Sequence, residues 1–379
     1  MHDLVRLYAD ERGRAGAEDD ARRSAYRNLM EYYLRTAHAA DALLTHRPAP
    51  HPSPLRDRGD AVAWLEHERP KLVAAALTDP QAVVVLAFVL ARFFAMRGFL
   101  DDWLVISERA VAVCRAKGDR DGEAASVNNL GFAQRHARRC DDAIASHTRA
   151  CAMYQELGDR RGEAMALTRL GTSLVEVSRA GEAIAAHTRA AAMLDALGDR
   201  ANEAASIGNL GCALLMAGRP EEAVTTLGRA VEAFRGLGDP TETSSALINL
   251  GNALQQAGRP EEAISHISAA AAVFRELDDH RRVEEAIDPL TRTAVLFGQL
   301  GERHSEAVAL ANPAVALHTL GRGEQALGLL SRAAAVFGEL GASDDEAGSR
   351  NTSVNVTEPG SISSSRAPVG HPIAHTGGV

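Results

Sequence analysis

Lysine is almost absent from this chain: it occurs only as Lys71 and Lys117, and arginine carries nearly all the positive charge. Acids outnumber bases, leaving a net charge of −9 at pH 7. No Lys/Arg cluster runs without interspersed acids, which argues against a nucleic-acid-binding face. Aromatic residues make up only 4% while alanine and leucine dominate, so the composition disfavours a β-sandwich and points to helices packed closely through small side chains. The four cysteines, Cys114, Cys140, Cys151 and Cys212, form no C-x-x-C pair. They are expected as thiols in a reducing compartment, neither disulfides nor metal ligands. Long apolar runs are missing too. Ala82–Leu90, continued past Arg92 to Met96, falls short of the roughly 20 residues of a membrane span, and no apolar stretch follows Met1-His2-Asp3-Leu4 as in a secretory signal. A cytoplasmic protein with no membrane contact is expected. There is no G-x-x-x-x-G-K-[ST], no H-E-x-x-H and no G-x-S-x-G, so no catalytic residue, metal or cofactor is assigned.

What the chain does have is a period. Leu-Gly-Asp recurs at Leu157-Gly158-Asp159, Leu197-Gly198-Asp199 and Leu237-Gly238-Asp239, preceded by Lys117-Gly118-Asp119, so these glycines step by 40. Inside each unit lies a Leu-Gly pair, Leu130-Gly131, Leu170-Gly171, Leu210-Gly211 and Leu250-Gly251, with alanines 12 and 19 residues after the Gly. Those alanines are Ala143, Ala183, Ala223 and Ala263, then Ala150, Ala190, Ala230 and Ala270. Each unit reads as two amphipathic helices with a breaker between them. In two units the breaker is Gly218-Arg219-Pro220 and Gly258-Arg259-Pro260. Gly ends one helix in a left-handed conformation, Pro opens the next where its missing N–H costs nothing, and Glu221-Glu222 and Glu261-Glu262 suit the positive end of the helix dipole.

Gly, then Ala at +12 and +19, resembles the signature of the tetratricopeptide repeat (TPR), and a period of 40 resembles the long-hairpin subclass of kinesin light chains and Pins-type scaffolds. The resemblance implies an all-α fold, a right-handed TPR α-solenoid of helical hairpins. A weaker repeat precedes the four regular ones, with Trp103 in place of the first small alanine. Another follows them over Gly301–Leu340, with Pro313 at the place of a packing leucine, where a mid-helix proline is expected to kink the helix. Residues 81–277 are expected as the regular solenoid, 278–341 as irregular TPR-like helices, and the Ser/Gly/Pro-rich 342–379 as a disordered tail.

Residues 1–80 are expected to be a helical linker segment. Met1–Ala9 resembles the end of the winged-helix subdomain of NB-ARC ATPases. The following order is a helical Ser24–Leu44, a Pro-rich loop from Pro48 to Pro54, and Ala63-Trp64-Leu65-Glu66. It resembles actinobacterial AfsR/SARP-type regulators, in which that ATPase leads into a TPR region. With no phosphate loop in the sequence, the chain would be the TPR part without its motor.

Just before each Leu-Gly pair stand Asn129, Arg169, Asn209 and Asn249, with Asn128 and Asn252 on neighbouring turns. The resemblance places this position in the concave groove. There an Asn can donate to and accept from an extended peptide backbone at once, although the same amide could equally contact the adjacent hairpin. His147 and His187 occupy equivalent second-helix positions and read as repeat consensus, with His266 one residue off that register. The function expected is a regulatory scaffold or sensor that binds a protein or peptide in the groove, self-association also being possible. The alternatives are a DNA-binding transcriptional regulator, against which the acidic charge counts, and an enzyme with fused repeats, for which no region outside the repeats is large enough. One irregularity concerns the ladder. Glu261-Glu262-Ala263-Ile264 is followed by Glu284-Glu285-Ala286-Ile287 only 23 residues on, 17 short of a period. A groove ending near Asp278–Arg282, with Asn312 no longer continuing the ladder, is the expected consequence.

Overall fold

A computed structural model describes residues 19–45, 54–277 and 279–339. Met1–Ala9, most of the Pro-rich loop, Asp278 and the tail from 342 lie outside the described residues. Among the described residues there are sixteen helices and no strand. In chain order they are α1 (Asp19–Leu44), α2 (Arg58–Thr78), α3 (Ala82–Val89), α4 (Ala91–Arg97), α5 (Leu100–Lys117), α6 (Arg120–His136), α7 (Cys140–Leu157), α8 (Arg160–Glu176), α9 (Ala180–Ala196), α10 (Arg200–Met216), α11 (Pro220–Gly236), α12 (Pro240–Gln256), α13 (Pro260–Glu276), α14 (His280–Gln299), α15 (Arg303–Thr319) and α16 (Gly323–Glu339). The chain divides into two compact units, Met1–Val273 and Phe274–Val379, the division falling inside α13.

In the first unit the hairpin boundaries follow from the punctuation of the sequence. The second helices α5 and α7 end at Gly118 and Gly158 with φ of 71° and 73°, and Gly198 and Gly238 adopt the same left-handed form after α9 and α11. The Asp that follows each Gly caps the next first helix: Asp119, Asp159, Asp199 and Asp239 accept from the backbone N–H three residues on. Helix α11 opens on Pro220 behind Gly218, as the sequence requires. From α5 to α12 each helix packs on the next, and the successive first helices α6, α8, α10 and α12 also touch one another. No two successive second helices approach as closely among the described residues. The repeated hairpins therefore form a solenoid whose first helices make the tighter row.

Why the first helices carry Gly in Leu-Gly is visible at the hairpin interfaces. A Cβ on Gly131, Gly171, Gly211 or Gly251 would come within 2.7, 2.6, 2.4 and 2.3 Å of His147, His187, Leu227 and Ile267, each a fully buried second-helix side chain. Any larger residue there would overpack the hairpin. The alanines of the signature, Ala143 and Ala150 through Ala263 and Ala270, are likewise fully buried.

Helices α1 and α2 share one core with the first hairpin. Tyr33, Ala37 and Leu44 pack with Leu65 and Leu72, with Leu86, Phe93 and Phe94, and with Trp103 and Ile106. Burying these large aromatic and aliphatic side chains, at roughly 1.5–3 kcal/mol each, ties the two N-terminal helices to the first hairpin. Pro70 lies inside α2 and does not end it.

In the second unit α15 packs on both α14 and α16. Asp279 caps α14 at the same 40-residue step as the caps of the first helices, and the helix then runs for 20 residues through Pro289. Helix α15 continues past Pro313, whose ring is buried beside Ala314 and Ala316. Pro313 removes one backbone hydrogen bond without ending the helix. Asn312 is half-buried.

Candidate functional site

The site predicted from sequence is a row of residues on the first helices α6, α8, α10 and α12. Equivalent positions carry different chemistry, and the structure puts them to different uses. Asn129 is buried, and its Nδ2 donates to the backbone carbonyl of Ala87 in the preceding hairpin at 2.9 Å. This amide contacts the adjacent hairpin. Asn128 is also buried, with Oδ1 2.9 Å from Nδ1 of the fully buried His147. The carboxamide oxygen only accepts, so His147 Nδ1 carries the proton and Nε2 is left as a bare acceptor. That Nε2 has no partner, and neither ring nitrogen of His187 has one, among the described residues. Burial, then the charges of Arg169 and Arg135, push His147 down to about 3, and burial alone pushes His187 down to about 4. Both rings are therefore neutral across the physiological range. No group of His, Cys, Asp or Glu among the described residues could hold a metal.

Two positions of the row keep their amides open. Asn209 and Asn249, at the same place on α10 and α12, are half-buried, and neither side chain makes a hydrogen bond among the described residues. Asn252, one turn on from Asn249, is half-buried and engaged within the protein. Cys212 stands at the position of Asn252 in the preceding repeat, and burial pushes its thiol up to about 11, so it is unreactive at neutral pH.

The row changes character at its N-terminal end. Arg169 lies over the ring of Phe132, with Cζ 4.4 Å from the ring centroid, and Arg135 approaches the same ring at 5.3 Å. Phe132 in turn packs edge-on against Trp103 and His136 at centroid separations of 5.2 and 4.7 Å. Arg135 donates to Glu176 at 2.6 Å, and the other oxygen of Glu176 accepts from the Cys140 thiol. Arg169 Nη1 is buried without any partner. Burial and the neighbouring Arg135 lower its guanidinium to about 10, still charged at neutral pH.

Phe132 and Arg135 were not among the residues singled out from the sequence. A signal was present: the residue after the Leu-Gly pair reads Phe132, Thr172, Cys212 and Asn252, so one repeat alone has an aromatic there. Only the structure shows that this ring lies beneath the arginine of the next repeat.

No curated protein matches the chain. The chain is similar in structure to the apo form of RapI, with a TM-score of 0.51 at 10% identity over 80% of this chain and 99% of that one. It is also similar to BtubC (BKLC) of P. vanneervenii, with a TM-score of 0.49 at 20% identity over 57% of this chain and 91% of that one. A kinesin light chain-like protein of Podosopora anserina gives 0.46 at 17% over 52% and 98%. At these identities the likeness concerns the fold. No helix among the described residues is long and apolar enough to cross a membrane. Residues 162–236 match the tetratricopeptide repeat family, so this stretch of the solenoid carries tetratricopeptide repeats.

Proposed function

We propose that the first unit binds an extended peptide or protein segment along the row of first helices, the inner and concave side of the solenoid. The observation that carries this reading is the pair Asn209 and Asn249. Two half-buried amides, one repeat apart at equivalent positions, have no hydrogen bond among the described residues. Their nitrogen and oxygen atoms are not among the buried unpartnered atoms, so they face water, and a ligand backbone would replace that water with both a donor and an acceptor for each. Arg169 and Asn252 belong to the same contact row. Asn128 and Asn129 act one step behind it, as positioning residues engaged by His147 and Ala87. The role is that of a regulatory scaffold or sensor in the cytoplasm, with no chemistry of its own. The AfsR-type resemblance adds the reading that such a module works without its ATPase.

The test uses the immobilised full chain and capped random hexapeptide pools. Asn209→Ala and Asn249→Ala should each weaken retention by about 1–3 kcal/mol, the cost of a lost partner at a half-buried amide. Retention of the pools that ignores both substitutions would remove the groove assignment.

A further inference from the structure

Arg169 is out of keeping with every other arginine of the regular repeats. Arg115, Arg120, Arg135, Arg139, Arg149, Arg161, Arg179, Arg189, Arg200, Arg219, Arg235 and Arg259 each pair with a carboxylate. Those without an acid partner among the described residues, Arg92, Arg109, Arg138, Arg160, Arg229 and Arg275, are exposed and solvated by water. Among the described residues, Arg169 alone combines a buried, unpartnered guanidinium nitrogen with the absence of an acid partner. Glu176, which shares the surroundings of His136 with Arg169, is already held by Arg135 and by the Cys140 thiol. The cluster of Arg135, Arg169 and Glu176 therefore carries one uncompensated positive charge. His136 beside it adds none, because burial and then Arg135 lower its imidazole below the ordinary value.

Arg169 as a whole is half-buried, and holding one of its guanidinium nitrogens out of water without a counter-charge destabilises the fold. The three equivalent residues, Asn129, Asn209 and Asn249, show that the fold does not need an arginine there. Stacking on Phe132 covers one face of the guanidinium and Nη1 is shut off from solvent, which leaves the Nε–Nη2 edge to be used. That plane matches a carboxylate, which accepts two parallel hydrogen bonds from it. One unpaired charge also matches a monoanion. A phosphate monoester, with a charge of about −1.5 to −2, would stay partly uncompensated.

We propose that Arg169 is the anchor for a carboxylate of the bound peptide, either its C-terminus or an Asp/Glu side chain. The carboxylate sits at the edge of the guanidinium above Phe132, and the peptide runs from there past Asn209 toward Asn249. This rests on the groove reading above and adds to it an end, a direction and a ligand charge.

The experiment compares N-acetylated random hexapeptide pools on the immobilised full chain. One pair has a free or an amidated C-terminus. A second pair, amidated, has a fixed central Asp or Asn, and a further pool has a fixed phosphoserine. Wild type should retain at least one carboxylate pool about tenfold better than its neutral partner, the gain of a charge-assisted pair. Which pair shows the preference tells a C-terminus from a side chain. Arg169→Asn, the residue that the other repeats carry, should abolish that preference by lowering retention of the carboxylate pool to that of its neutral partner, and melt no lower than wild type. Arg169→Gln should repeat the result, so the conclusion does not hang on one variant. Equal retention of charged and neutral pools by wild type, preference for the phosphoserine pool over both carboxylate pools, or a preference that survives both substitutions would overturn the anchor. If the pools are retained and lose affinity with Asn249→Ala yet show no charge preference, the anchor alone fails. If no pool is retained at all, anchor and groove reading fail together.

Discussion

The first two regular repeats, 118–197, and the next two, 198–276, share one period and one hairpin geometry, yet they fill it differently. Beneath the Leu-Gly glycine the early pair places His147 and His187, the late pair Leu227 and Ile267, all fully buried. At the turn inside the hairpin the early pair bends through Arg138 and Ser178, at φ of 61° and 60°, where the late pair has Gly218 and Gly258. The early hairpins also tie first helix to second through buried acids, Glu123 to Arg149 and Glu163 to Arg189. The aromatic and cationic cluster around Phe132 lies here too. The late repeats are therefore the better-built scaffold, and the early ones carry polar groups that the scaffold does not require. In a solenoid each hairpin leans only on its neighbours, so one pair can hold costly groups without the other being affected.

The largest test of that contrast converts His187 to the leucine of the next repeat. His187 makes no hydrogen bond, so the change removes two orphaned ring nitrogens and leaves no partner stranded. Its imidazole falls from an ordinary 6.5 to about 4 in the folded chain. A group depressed on folding contributes stability above its unfolded value and loses it as pH falls. Between 6.5 and about 4 the unfolded chain takes up a proton that the folded chain refuses, and below that the loss is complete. The loss amounts to about 3 kcal/mol at most. His187→Leu should thus raise stability at neutral pH and flatten its decline toward about pH 4, read as the urea midpoint across pH. An unchanged pH slope would mean that the buried ring is not what makes the early repeats acid-sensitive. A smaller effect is expected at the turn. Ser178→Gly relieves a left-handed residue and should stabilise by about 0.5–1 kcal/mol, the steric relief being partly offset by a freer unfolded chain. A fall in melting temperature would show that the serine side chain does something else there.

Much of this was legible in the sequence, because repetition makes the pattern read itself out four times. The Gly-Asp caps, the Gly-Arg-Pro breakers and the alanines at +12 and +19 fall where they were expected, since each is fixed by local backbone geometry. The partner of the Leu-Gly glycine lies 16 residues on and changes from His to Leu to Ile, so only the packed hairpin shows that these positions are one. The site was less legible. Sequence marks the position of the ladder but not how each side chain is used. Whether an amide binds a neighbouring carbonyl, as Asn129 does with Ala87, depends on a helix 42 residues away. The register break after α13 is plain in sequence, and α14 answers it with a first-helix cap, Asp279, ahead of the second-helix motif Glu284-Glu285-Ala286-Ile287.

The smallest expected effect, at Asn249, is set against a larger one at Asn129, and the pair separates two members of the ladder that sequence alone treats as equal. Asn129→Ala removes the donor to Ala87 and leaves that carbonyl unsatisfied inside the hairpin interface, at about 1–3 kcal/mol. Asn249→Ala removes a half-buried amide with no hydrogen bond among the described residues, so it should move stability by no more than about 0.5 kcal/mol in either direction. Both substitutions keep a good helix former at a helical position, so propensity does not blur the comparison. Urea unfolding of the two variants side by side measures the difference directly. A loss at Asn249 as large as that at Asn129 would mean that its amide is also part of the fold. The row would then have lost one of the two open positions on which ligand binding was argued. A near-zero loss at Asn249, together with weakened peptide retention, would assign that side chain to the ligand.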